Sequence, residues 1–69
     1  METLEQLRIH AGLRVKELAT LADISETSLR KMAHGEPVSA VLVYKVLRVL
    51  SARLGREIAL EEIADIKTL

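Results

Sequence analysis

The stretch spanning residues 15–34, VKELATLADISETSLRKMAH, constrains the chain more than any other. Its apolar residues recur at 15, 18, 19 and 22, the i, i+3, i+4, i+7 spacing of one buried helix face. Ala22-Asp23-Ile24-Ser25 then interrupts that spacing, and no apolar run here is long enough for a strand. Ser25 is a good N-cap for a second helix, whose buried face is Leu29 and Met32. Ile24 before the cap and Leu29 at the fourth helical position form a hydrophobic staple, which fixes the angle at which that helix starts. The spacing predicts two short helices around a tight corner.

The flanks continue in the same style. Thr3 followed by Gln6 is a capping box for a first helix, with Leu4, Leu7 and Ala11 on its buried face and Gly12 as its stop. Leu13 is placed to staple onto Leu18. Arg14 is a poor N-cap, so the start of the second helix is expected to be loose or held by tertiary contacts. The third helix runs from about residue 26 to 34, and Gly35 and Pro37 punctuate the chain after it. Ser39 caps a fourth helix over about 39–54, with Val38 and Val43 in staple positions and Gly55 as its stop. A C-terminal helix is expected over about 60–66, with Ile58 and Ile63 as its staple and Glu61 and Glu62 at its positive end. The prediction is one compact all-α domain of five helices covering residues 1–69.

The fourth helix is apolar nearly all round in its first turns, which two readings explain. It is a central helix buried on several sides, or part of its surface (Val41, Leu42 and Tyr44, together with Ile66 and Leu69) forms a dimer interface. Both can hold. The β-branched residues at 41, 43, 46 and 49 are poor helix formers and leave a buried strand as the alternative.

Size favours self-association. A chain of 69 residues buries a modest core of Leu, Ile, Val and Ala, here with one Tyr and no Phe or Trp. There is no Cys to staple it, and the two His, His10 and His34, are too few for a metal site and read as surface residues. No cofactor, nucleophile–base pair, paired-carboxylate site or phosphate cradle is visible, and the chain does not read as an enzyme. No signal peptide or membrane-spanning run is visible either, so a cytoplasmic location is expected.

The residues of the central stretch resemble the helix-turn-helix of the Xre/Cro/lambda-repressor-like regulators. Ala19 stands where that motif wants a small residue, Ala22 and Ile24 flank the corner, and Leu29 and Met32 match the buried positions of its second helix. His34-Gly35-Glu36-Pro37-Val38-Ser39 resembles the family's usual H/R-G-x-x-P-S ending, and the likeness extends over about 4–50. The chain departs from the pattern in two places: Arg14-Val15 replaces the usual Ser-Gln, and Asp23 replaces the corner Gly. Asp tolerates positive φ better than most residues. The resemblance implies a lambda-repressor-like domain with the motif as helices 2 and 3, binding double-stranded DNA as a homodimer to regulate transcription, most simply as a repressor.

By the same resemblance the base-reading positions fall on Glu26, Thr27 and Lys31. Lys31 can donate to guanine, Glu26 can accept from cytosine or simply favour the helix N-terminus, and the Thr27 methyl can pack on thymine. Arg30 can reach a base edge or the backbone. Phosphate contacts are expected from Arg8, Arg14, Lys16, Ser25, Ser28 and His34. One feature runs the other way: ten basic and ten acidic residues give a formal net charge of zero, and a cut at Gly35 leaves five of each sign on both sides. That balance keeps open a different class of function, a helix-turn-helix scaffold for protein–protein contact such as an antitoxin-like or accessory subunit. A module cut from a larger regulator is a third reading.

Overall fold

The computed structural model describes residues 1–69 and contains four α-helices, one 3₁₀ turn and a pair of two-residue strands. Helix α1 covers Leu4–His10, α2 Val15–Ala22, α3 Glu26–Ala33 and α4 Ala40–Leu54; β1 is Pro37–Val38 and β2 is Lys67–Thr68.

Local hydrogen bonds decide where the helices begin. The Thr3 hydroxyl accepts from the Gln6 N–H, and the Gln6 amide oxygen accepts from the Thr3 N–H at 2.9 Å, so two otherwise orphaned donors are satisfied reciprocally. Ser25 and Ser39 cap α3 and α4 by accepting from the N–H groups of Ser28 and Val41. The Arg14 side chain does not cap α2. Its place is taken by Glu17, whose carboxylate accepts from the Arg14 N–H at 3.0 Å. The start of α2 is therefore tied by an acceptor one turn downstream, a device the weak cap residue alone did not reveal.

The corner between α2 and α3 turns on Asp23, the one non-glycine residue with positive φ (φ 58°, ψ 48°). This αL step lets the Ile24 N–H reach the Ala19 carbonyl at 3.0 Å and folds α3 back across α2 over the small, buried Ala19.

Helix α2 is the centre of the core. It packs against α3 on one side and α4 on the other, and Leu18, Met32, Val43, Val46 and Leu50 are fully buried between them. Leu4 and Leu7 of α1 close one end, and no polar side chain is buried. In α4 the buried residues 43, 46, 47 and 50 share one face, so burial overrides the low helix propensity of its valines and no strand forms there. Leu42, Val49 and Leu54 lie half-buried against the core, whereas Val41 and Tyr44 point outward.

The expected C-terminal helix does not form, so the helices number four and not five. Leu60–Glu62 makes a single 3₁₀ turn, and Ile63 is already extended (φ −101°, ψ 124°). The cause is visible in the neighbours. Ala59 offers no side-chain cap. Ile63 pairs with Glu2 in a parallel bridge, and the Ala64 N–H bonds the Glu2 carbonyl at 3.0 Å. Then β2 lies parallel to β1, Pro37 opposite Lys67 and Val38 opposite Thr68, with the Leu69 N–H donating to the Val38 carbonyl at 2.9 Å. The backbone donors that a last helix needs are spent on these long-range partners. Ile58 and Ile63, placed here as a staple, are both buried, but as two separate anchors of an extended segment.

The corner makes a direct prediction. Asp23→Val, which places a β-branched side chain at positive φ, should lower the unfolding free energy by about 1–2 kcal/mol. Asp23→Gly should stay within about 0.5 kcal/mol of the parent, since relief of strain offsets the added freedom of the unfolded chain. Urea denaturation of the three proteins at one pH measures both.

Candidate functional site

Helix α3 presents a ridge of exposed polar side chains over a buried base. The base is Leu29 and Met32, both buried. Helical periodicity puts Thr27 and Lys31 on the opposite side, and both are exposed. Arg30 and His34, also exposed, flank this ridge on one side; with Glu5, Val15, Leu29 and Ala33 they line a shallow cleft between α3 and the starts of α1 and α2. Glu26 and Ser28 are half-buried. Glu26 is the first residue of α3, where a carboxylate favours the positive end of the helix.

The residues marked out as anion contacts fall into two groups. Arg14, Lys16, Arg30 and Lys31 form no ion pair, and Arg14, Lys16 and Arg30 border the ridge or the start of α2. Arg8 is different. Its guanidinium grips Glu5 at 2.8 and 3.2 Å and donates to the Leu13 carbonyl at 2.7 Å. It thereby ties the end of α1 to the loop leading into α2, and its charge is largely spent inside the molecule. The Arg8 hydrogen bonds hold the Glu5 carboxyl below the usual glutamate range against the weaker, opposing effect of burial; the charges of Arg8 and then His34 add to the shift. The same hydrogen bonds raise the already high pKa of Arg8. The serines are also engaged: the Ser25 hydroxyl accepts from the Ser28 N–H and donates to the Ser28 hydroxyl at 2.9 Å. Only the Ser28 hydroxyl proton is left to donate outward.

The five residues considered for self-association differ in exposure. Val41 and Tyr44 stand on the outer face of α4, 64% and 53% exposed. Leu42 and Ile66 pack against the core, and Leu69 lies 88% exposed beyond β2. Sequence reasoning missed a neighbouring feature. Leu21, 51% exposed at the end of α2, sits against Arg48, Val49, Ala52 and Arg53 of α4. The charge signal for it was present: between residues 27 and 56 the basic residues are Arg30, Lys31, Lys45, Arg48, Arg53 and Arg56, and the only acid is Glu36. Division of the chain at Gly35 splits this block and hides it.

The arrangement offers hydrogen-bond donors on an exposed helix face, and no three His, Cys, Asp or Glu side chains are grouped to hold a metal ion. No helix is long and apolar enough to cross a membrane. Comparison with protein-family profiles, with curated proteins and with solved structures yields no match in any of the three.

The Glu5–Arg8 pair sets a pH dependence. Glu5 has a lowered folded pKa, so its contribution is complete above the ordinary glutamate range and disappears as pH falls through the folded value. Because the Glu5 side chain is about half exposed, Glu5→Gln should cost less than about 1 kcal/mol at neutral pH. The variant should show a smaller loss of stability than the parent on acidification through the glutamate range, measured by thermal denaturation across pH 3–7.

Proposed function

We propose that the protein is a sequence-specific DNA-binding transcriptional regulator of the lambda-repressor-like kind, acting as a homodimer on a near-palindromic site. The observation that carries this reading is the α3 ridge: Thr27 and Lys31 project from a helix whose other face is anchored by Leu29 and Met32. An α-helix fits the major groove of B-DNA, where each base pair displays a distinct set of donors and acceptors. Side chains near the start of the second helix of a helix-turn-helix meet those base edges.

Each residue then has a role set by its surroundings. Lys31 donates to guanine O6 or N7, and the Thr27 methyl packs against a thymine methyl. Glu26 accepts from a cytosine amino group when one lies opposite it. Arg30, at the side of the ridge, reaches either a base edge or the backbone. Arg14 and Lys16, at the exposed start of α2, contact phosphates, joined by Ser28 and His34. Arg8 and Ser25 act indirectly, by fixing the α1–α2 loop and the start of α3. Occupation of the operator regulates transcription by obstructing or recruiting polymerase. Two half-sites about 34 Å apart place the two α3 helices in successive major grooves.

A second reading, a helix-turn-helix scaffold for protein contact, is favoured by one observation. Glu5 neutralises Arg8 and faces the cleft that Arg30 and His34 line, so acidic charge interrupts the basic surface on that side.

Selection of bound sequences from a random DNA pool at moderate salt separates the two readings. An enriched, two-fold-related motif supports the operator reading, and no enrichment at any salt concentration sinks it. On the enriched site, Lys31→Ala should weaken binding by about 1–3 kcal/mol and relax the preference at one base pair per half-site. Arg14→Ala should weaken binding to operator and random DNA alike and reduce the slope of log K against log salt by about 1 per half-site.

A further inference from the structure

A groove between the end of α2 and the second half of α4 combines cations with aliphatic side chains. Leu21 lies there beside Val49 and Ala52, with Arg48 and Arg53 next to them. The groove continues along α2, past Leu21 and Arg53, to Thr20, Glu17 and Lys16. Helical spacing explains the grouping. Residues 48 and 52, and 49 and 53, are i, i+4 pairs that stack along one side of α4. Leu21 falls off the buried face of α2, which is Leu18, Ala19 and Ala22, and is 51% exposed.

The cations of this groove are unsatisfied within the chain. The ion pairs of the molecule are Arg8–Glu5, His10–Glu2, Arg56–Glu2 and Arg56–Glu62; none uses Lys16, Arg48 or Arg53. The one acid in the groove is Glu17, whose carboxylate already accepts from the Arg14 N–H. The Thr20 hydroxyl donates to the Lys16 carbonyl at 2.9 Å, so the cations are what the groove offers as outward donors. Arg48 also borders a second groove, which holds Glu57 and Glu61. With Arg48 set aside, Lys16 and Arg53 still outnumber Glu17.

We infer that this groove receives an acidic, amphipathic segment of another protein, with apolar side chains packed on Leu21 and Val49 and carboxylates on Arg53 and Arg48. Such a partner is distinct from operator DNA, and its docking does not require the operator reading. Charge complementarity sets its sign, and the aliphatic lining sets its class. The phosphates of a nucleic acid would satisfy the cations but leave Leu21 and Val49 against water. Carboxylates set around apolar side chains satisfy both, because a guanidinium takes a carboxylate bidentately while its neighbours exclude water. Helix α3 packs on the other side of α2 from α4, so the Thr27–Lys31 ridge stays free while the groove is filled.

Peptide selection on the full chain, without DNA and at moderate salt, tests the inference. Random peptides displayed on phage are selected on the immobilised parent, and the enriched peptides are synthesised and titrated by fluorescence anisotropy. Three variants are compared: Leu21→Ser, Arg53→Glu, and Arg30→Glu with Lys31→Glu. Their helical circular dichroism and melting temperature are checked against the parent. Lys16, placed among the phosphate contacts, is left unchanged. The enriched peptides should carry Asp or Glu among Leu, Ile or Phe at helical spacing. Leu21→Ser and Arg53→Glu should each weaken their binding about tenfold or more, as loss of an interface anchor does. The α3 variant should leave binding unchanged.

Selection that enriches no acidic peptide overturns the inference, as does binding that Leu21→Ser leaves intact. Equal weakening by the α3 variant overturns it too, since the attraction is then general to polyanions. Sedimentation of the parent as a dimer that Leu21→Ser and Arg53→Glu both dissociate makes the occupant a second copy. Flotation of the parent with phosphatidylglycerol vesicles through the same two residues, with no peptide enriched, makes it a lipid surface. Each of these last two results also overturns the inference. DNA selection by the parent reports separately on the operator reading.

Discussion

The structure depends on the burial of α2 between α3 and α4. With one Tyr as its sole aromatic residue and no Cys, the chain has neither large rings nor cross-links to hold a small core together. What it has is close approach. Ala19 and Ala22 let α3 cross tightly over α2, and the valines of α4 present a smooth, stiff surface to Leu18. Each aliphatic side chain removed from water contributes about 1.5–3 kcal/mol, and no polar residue is buried whole among them. The tightness of the α2–α3 crossing in turn requires the αL step at Asp23. A single dihedral angle thus couples core packing to the direction in which α3 leaves the surface.

Charge follows a different logic. A net charge of zero argues against a nucleic-acid partner only when charges are mixed evenly over the surface. Here they are sorted by what holds them. Arg8 and Arg56 are spent on internal ties, one between α1 and its following loop, the other between the chain's beginning and the 3₁₀ turn. Glu5, Glu17 and Glu62 are spent on the same tasks. The cations left over lie on α3, at the start of α2 and along α4, with Lys67 alone on β2. Partition of charge between structural and unpaired roles, not its sum, decides what a small domain can attract.

The four helices were legible from residues 4 to 54 because their signals are local. Caps at Thr3, Ser25 and Ser39, stops at Gly12, Gly35 and Gly55, and buried positions three and four apart all lie within one or two turns. Glu17 was visible as a residue but not as the partner of Arg14, because a capping box is legible from a Ser or Thr at its first position and Arg14 is neither. The C-terminal segment was misread for a deeper reason. Ile63, Lys67 and Thr68 belong to strand-like pairings with Glu2 and with Pro37–Val38, and those partners are remote in sequence. Helical periodicity cannot register a hydrogen bond to a residue 30 or more positions away. The exposed ridge on α3 could be placed from Leu29 and Met32 alone, since fixing the buried face of a helix fixes the opposite one. The engagement of Arg8 could not, because it depends on the bend between α1 and α2.

The same partition explains why a dimer suits this domain if α3 reads DNA. With Arg8 internally paired, each copy offers few free cations to phosphates, and each phosphate contact adds only a modest, salt-sensitive increment. Two such copies held rigidly bind as one unit: once the first half-site is engaged, the second binds intramolecularly, and its effective concentration rises well above that of free protein. This gain exists only where both α3 helices face the same duplex. On that proposal, the direction of the two-fold axis would decide whether two weakly charged copies act as one discriminating reader.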